Sequence, residues 1–378
     1  MFSIKRYNSI DILRALAIIG MIQVHFAEIL SGYYERTTLL YELSDIFGSL
    51  PAPLFTFLVG MSLFISIKRQ EEAGKPELAI ADRNLRRGTQ IFFFGLIFAA
   101  LIWTPAEVFG WDILTLIGAA LLIVFPLRKL KDNRLVAIIL LIVIASPLLR
   151  IWSNYYSHWN QWGEFVPASS LKSVLLGFTL NGYFPLLPWL IFPLCGYLVS
   201  RACFGNGQPH LPKFIIPTGI GLVLAALGLA LIETTLDLSA APAIGGYLSP
   251  LSFYPASTTY LALTLGIIFL LFALTFRFFD QNNNQTNDSA FIRFCRRYSR
   301  YALSAYIIHH AVVVWPVLAA ANISGKRDIW FYYGDVVPTY LALIIALVFV
   351  ALFYLVLIWW DKKDGRYSFE WLLRRLTG

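Results

Sequence analysis

Long apolar runs separated by short polar segments set the pattern of this chain. Ten such runs, each of 16 to 23 residues, cover 10–30, 47–67, 88–103, 112–127, 135–150, 183–201, 213–233, 257–277, 301–321 and 338–360. A helix needs about 20 mostly apolar residues to cross the hydrocarbon core. The pattern therefore predicts an all-α, polytopic membrane bundle of about ten transmembrane helices, organised as a single domain over 1–378. The first run carries Asp11 and Arg14 and no small-residue cleavage site follows it, so it reads as a retained span and not a signal peptide.

Two stretches depart from simple spans. In 150–182, Leu171, Val174, Leu175 and Phe178 recur at helical spacing with Lys172 and Ser173 opposite, which predicts an interfacial or re-entrant helix over 169–180. Residues 278–299 read as a polar cytosolic linker between an eight-span and a two-span part.

Charge orients the spans. The segments on one side of the alternation carry 24 Lys and Arg, and those on the other carry 5. The basic side faces the cytosol, and both termini lie there. The composition, 58% hydrophobic and 14% charged, is far from the roughly one-half and one-quarter of soluble domains. A soluble enzyme, a disordered chain and a disulfide scaffold are thereby excluded. The net charge of +8 is spread through the cytosolic segments and is not gathered on one face, so it reports topology and not nucleic-acid binding. Cys195, Cys203 and Cys295 form no Cys-x-x-Cys pair, and no metal is expected. Short loops favour a bacterial inner (plasma) membrane over that of an organelle; oligomeric state is not written in the sequence.

Ionisable residues inside a span are costly and mark a pathway or site. Arg14 and His25 are eleven positions apart, which brings them within about 20° on one helical stripe, roughly 16 Å apart along the axis. Asp11 falls within about 60° of Arg14, so the plain reading of Arg14 is an arginine at the mouth of the span paired with Asp11. His25 lies in the outer third, and its imidazole is suited to take and return a proton near neutrality. The ninth run adds His309 and His310, about 100° apart, so one of the two is expected at a shared site while the other packs. Tyr306 lies one turn before His310. Arg83, Arg86 and Arg87 in DRNLRRG, just ahead of the third run, serve either as positive-inside anchors or as guanidinium forks for a phosphate-bearing ligand.

The openings SIDILRALAIIGMIQVHF and PLFTFLVGMSLFIS resemble the start of the transmembrane acyltransferase superfamily. YFPLLPWLIFPLCGYLVSR and SRYALSAYIIHH are similar to its heparan-α-glucosaminide N-acetyltransferase-like branch. The first span is also similar to acyltransferase family three, where an Asp-x-x-Arg start is followed by a His eleven residues after the Arg. The resemblance implies a membrane enzyme that takes an acyl group, commonly acetyl, from cytosolic acyl-CoA and passes it to a sugar-type acceptor on the far side. It implies Arg14 and His25 in the catalytic roles, and Arg83 and Arg86 as the Arg-x-x-Arg pair. One departure stands out: heparan-modifying enzymes carry their catalytic His in the first exterior loop, and residues 31–46 contain none.

Residues and resemblance together predict a donor site at Arg83, Arg86 and Arg87. His25 is the general base, with Arg14 and Asp11 beside it. Candidate acceptor or oxyanion contacts are His309, His310, Tyr306, Trp189 and Asn181. The expected donor is acetyl-CoA, and the product an ester or an amide. An acyl-histidine intermediate ranks second to direct transfer. A transporter of a polar or anionic small molecule and a non-catalytic scaffold are the competing classes.

Overall fold

A computed structural model describes residues 6–160, 163–167, 169–205, 207–235, 247, 251–281, 289–324 and 337–377. The helices, in chain order, are α1 (Asn8–Leu30), α2 (Leu39–Gly48), α3 (Pro51–Glu72), α4 (Glu77–Ile102), α5 (Ile113–Leu127), α6 (Asp132–Trp152), α7 (Leu171–Leu176) and α8 (Leu186–Trp189). They continue with α9 (Ile191–Phe204), α10 (Ile215–Thr235), α11 (Thr258–Phe279), α12 (Ala290–Arg300), α13 (Ala302–Ile323), α14 (Thr339–Lys362) and α15 (Phe369–Thr377). The described residues contain isolated β-bridges and no sheet. Among them, nine helical segments are long and apolar enough to cross a membrane, and α5 is a shorter apolar helix. Its 15 residues span roughly 22 Å, less than the hydrocarbon thickness of about 30 Å. The all-α polytopic architecture is as the apolar pattern predicts.

The chain forms two compact units, residues 1–55 with 282–378, and residues 56–281. In the first, α1 packs against α2, α12, α13 and α14. Leu13, Ile18, Ile22 and Phe26 of α1 are completely or almost completely buried. α14 instead exposes Leu347, Val348, Leu352 and Leu355, the face expected to meet lipid tails. Lipid is as apolar as leucine, so packing and interhelical hydrogen bonds, not apolar burial, hold such helices together. Asp361 at the end of α14 supplies them: it accepts from Arg297 Nε at 2.8 Å, Tyr301 Oη at 3.0 Å and Arg300 Nη1 at 3.2 Å.

In the second unit, α4 packs on α5, α10 on α11, and α6 on α9. A reciprocal glycine contact brings α3 and α9 together: a Cβ at Gly60 would overlap the Pro193 carbonyl, and one at Gly196 the Phe57 carbonyl. Only hydrogen at both positions lets the two backbones touch.

Several boundaries differ from the sequence expectation. α4 begins at Glu77, so DRNLRRG lies inside the helix and not ahead of it. Hydropathy registers only the apolar part of a helix whose first turns are polar. The sixth run is not one span but is broken into pieces. α7 passes into a π-helical turn over Gly177–Asn181, Leu187 is extended (φ −109°, ψ 124°), and α9 starts at Ile191. Pro185 and Pro188, on either side of Leu187, each remove a backbone N–H, which explains the break. The helical expectation over 169–180 is met by α7 and this π turn. Within the expected linker 278–299, residues 282–288 lie outside the described residues, and 290–300 are helical. Ser289 caps α12 by accepting from Ile292 N at 3.2 Å, with Ile292, Cys295, Tyr298 and Ser299 buried and Arg293 and Arg300 exposed. The arginines that lower its mean hydropathy hide an amphipathic helix. α15 has the same character, whereas α2 is a ten-residue apolar helix that exposes Leu39, Ile46 and Phe47 and is too short to stand out as a span.

Candidate active site

The stripe of α1 carries a polar network at each end. At the first, Arg6 Nε reaches Asp11 Oδ2 at 2.5 Å, and Arg6 Nη2 reaches Oδ1 at 3.2 Å. Ser299 Oγ of α12 donates to Asp11 Oδ1 at 2.6 Å and accepts from Arg14 Nη1 at 2.8 Å. The sequence pairing of Arg14 with Asp11 is thus completed by a serine hydroxyl: one proton to give and two lone pairs let it bridge a cation to an anion. Asp11 and Ser299 are buried. Arg296 adds a bond to Asn8 Oδ1 at 3.0 Å, which ties α12 to the first turn of α1.

Near the other end, three imidazoles meet. His25 Nδ1 lies 2.9 Å from His309 Nε2. The His25 ring centroid is 5.2 Å from that of His309 and 4.3 Å from that of His310. The expectation that only one of the adjacent histidines shares the site does not hold. The 100° between neighbouring Cβ vectors is offset by side chains that lean along α13, and the two rings stand 4.1 Å apart. Both are anchored in the same way: His309 Nδ1 is 2.8 Å from Ala305 O, and His310 Nδ1 is 2.8 Å from Tyr306 O.

These contacts specify tautomers. A carbonyl only accepts, so Nδ1 of His309 carries the proton and its Nε2, in the neutral ring, holds a lone pair. His25 Nδ1 must then donate to it, which leaves the lone pair of His25 on Nε2. His25 is half-buried, while His309 and His310 are buried. Tyr306 packs its ring 4.6 Å from His310. One nitrogen from each of the three histidines lies within 4.8 Å of the others, a set of imidazole donors able to hold a metal ion.

The remaining expected residues belong to the other unit. Arg83, Arg86 and Arg87 follow i, i+3, i+4 spacing on α4, and all are exposed. Arg86 pairs with Asp82 at 3.0 Å, and Arg83 donates to Gln70 Oε1 at 3.5 Å. Trp189 is buried among Phe184, Phe192 and Phe253. Asn181 is fully buried; its Oδ1 accepts from Ser153 Oγ at 2.8 Å and its carbonyl from Trp159 Nε1 at 3.0 Å, while Nδ2 has no partner among the described residues.

Sequence reasoning missed Arg6, Ser299 and Glu370. Glu370 of α15 accepts from Ser304 N at 2.9 Å and Ser304 Oγ at 2.5 Å, and so caps α13 in place of a local side chain. No spacing rule links residues 66 positions apart. Ser299 carried a weak signal, because it sits immediately before the quoted SRYALSAYIIHH block's arginine.

The catalytic-domain family model of heparan-alpha-glucosaminide N-acetyltransferase matches residues 6–229. That is more than half of the chain, and it includes Asp11, Arg14, His25, Arg83, Arg86, Arg87, Asn181 and Trp189, while the histidine pair of α13 lies beyond it. A search of curated proteins finds no match. On the strength of the matched span, this membrane protein belongs to the heparan-alpha-glucosaminide N-acetyltransferase catalytic family.

Proposed function

We propose that the whole chain works as one acetyl-CoA-dependent acetyltransferase of a bacterial inner membrane, both termini cytosolic, that acylates a hydroxyl or amine of a sugar acceptor on the outer side. The observation that carries this reading is the 2.9 Å contact between His25 Nδ1 and His309 Nε2. It leaves the Nε2 lone pair of His25 for an acceptor proton, the arrangement a general base requires.

In this reading His25 Nε2 takes the acceptor's proton as its oxygen or nitrogen attacks the thioester carbonyl. The imidazolium that forms is stabilised through its Nδ1–H bond to His309. When the tetrahedral adduct collapses, His25 returns the proton to the departing CoA thiolate. The exposed basic face of Arg83, Arg86 and Arg87 suits the donor's phosphates. Arg14, held through Ser299, lies on the same stripe of α1 as His25 and supplies positive charge along the donor's path. Tyr306 and His310, whose rings stand beside each other next to His25, are proposed as acceptor-side contacts.

The direct test is acetyl transfer by His25→Ala reconstituted in proteoliposomes with acetyl-CoA and an amino sugar. General-base catalysis is worth typically about 10²–10⁴-fold, and a loss of that size is expected at unchanged protein yield. An unaltered rate would remove His25 from the mechanism.

A further inference from the structure

The base reading gives His310 no part in the proton transfer, although its ring stands closer to His25 than that of His309 does. We infer that His25, His309 and His310 together form a site for a zinc-class divalent cation, and that such an ion switches the enzyme off. Three features carry this beyond the proposed activity. One nitrogen from each ring lies within 4.8 Å of the other two. Both α13 rings give their Nδ1–H to backbone carbonyls at 2.8 Å, the outer-shell arrangement that orients metal-ligating imidazoles through Nε2. All the donors are nitrogens, which suits Zn²⁺, Cu²⁺, Ni²⁺ or Co²⁺ and disfavours Mg²⁺ and Ca²⁺, whose ligands are oxygens.

The geometry is near what an ion requires. Zinc–imidazole bonds of about 2.0–2.1 Å at tetrahedral angles place ligand nitrogens roughly 3.4 Å apart. The His25–His309 pair, at 2.9 Å, would open slightly. The widest pair, no more than 4.8 Å apart, would close by at most about 1.4 Å, a side-chain adjustment. Three protein ligands leave the fourth position to water.

Binding changes the chemistry at His25 without adding or removing a proton. When Nδ1 turns its lone pair to the ion, the ring proton moves from Nδ1 to Nε2. The nitrogen that would receive the acceptor's proton then already holds one, so bound metal and general-base catalysis exclude each other.

The test uses the purified full-length chain in detergent with one equivalent of Cu²⁺. An electron paramagnetic resonance spectrum showing three equatorial nitrogens, erased by excess Zn²⁺, is the expected result; no binding, or two nitrogens or fewer, overturns the site. His25→Asn, His309→Asn and His310→Asn should each weaken Zn²⁺ binding by roughly 10–100-fold or more. Equal binding by all three variants also overturns it, and the unmodified chain answers the question even if a variant fails to fold. Stoichiometric Zn²⁺ should abolish transfer and a chelator restore it. If transfer persists while the copper spectrum shows three nitrogens, the metal site stands, and the switch and the base reading fall together.

Discussion

A hydrogen bond between two imidazoles has only one arrangement when the second ring is already committed to a carbonyl. That is the case for His25 and His309, and it assigns His309 a positioning role. His309→Leu removes the acceptor and frees His25 to choose the wrong tautomer, whereas His309→Gln keeps a carbonyl oxygen able to accept. The leucine variant is expected to lose kcat by about tenfold or more, with KM for acetyl-CoA little changed. The glutamine variant should recover part of the loss, and a merely space-filling role for His309 would reverse that order. At the other end of the stripe, Ser299→Ala removes the hydroxyl joining Asp11 to Arg14. Bonds to charged groups contribute about 1.5–3 kcal/mol each, so a loss of thermal stability in detergent is expected. A melting temperature equal to that of the unmodified chain would show that the bridge contributes nothing.

Among the elements, α3 and α9 approach closely enough that a glycine on each meets the other's backbone. Gly196→Ala places a methyl group against the Phe57 carbonyl, a backbone atom unable to move aside. Overpacking of this kind costs about 1–3 kcal/mol, and a lower yield of monodisperse protein by size-exclusion chromatography checks it. The docking of α15 onto α13 is expected to weaken as pH rises. Burial holds the Glu370 carboxyl above its ordinary value of 4.5, against the opposing effect of its bonds from Ser304. A carboxyl raised in the folded state contributes stability that is full below pH 4.5 and is lost as pH rises through the raised value. Proteolysis near residue 370 should therefore accelerate with rising pH in the unmodified chain, and Glu370→Gln should flatten that dependence.

For the molecule as a whole, the basic bias makes a prediction independent of catalysis. With the three cysteines replaced, a single cysteine at Lys129 should react with a membrane-impermeant maleimide from the cytosolic side only, and one at Phe109 from the opposite side only. The reverse pattern would invert the proposed orientation. Family membership rests on residues 6–229, yet His309, His310 and Ser299, which complete both networks on α1, come from the part after it. The two polar networks on α1 thus draw on both arms of one compact unit, residues 1–55 and 282–378.

The all-α polytopic bundle was legible because apolar length is a local property that lipid imposes segment by segment. The α1 stripe of Asp11, Arg14 and His25 was legible for the same reason, since 3.6-residue periodicity orders neighbours on a single helix. The breaks around Leu187, the polar start of α4 and the amphipathic α12 were blurred, because proline effects and charged turns lower the signal that hydropathy averages. What joins His25 to His309 and His310, Asp11 to Ser299, or Ser304 to Glu370 was decided only when separate helices packed. Those partners lie 66 to 288 residues apart, and no local pattern encodes which face of one helix meets which face of another.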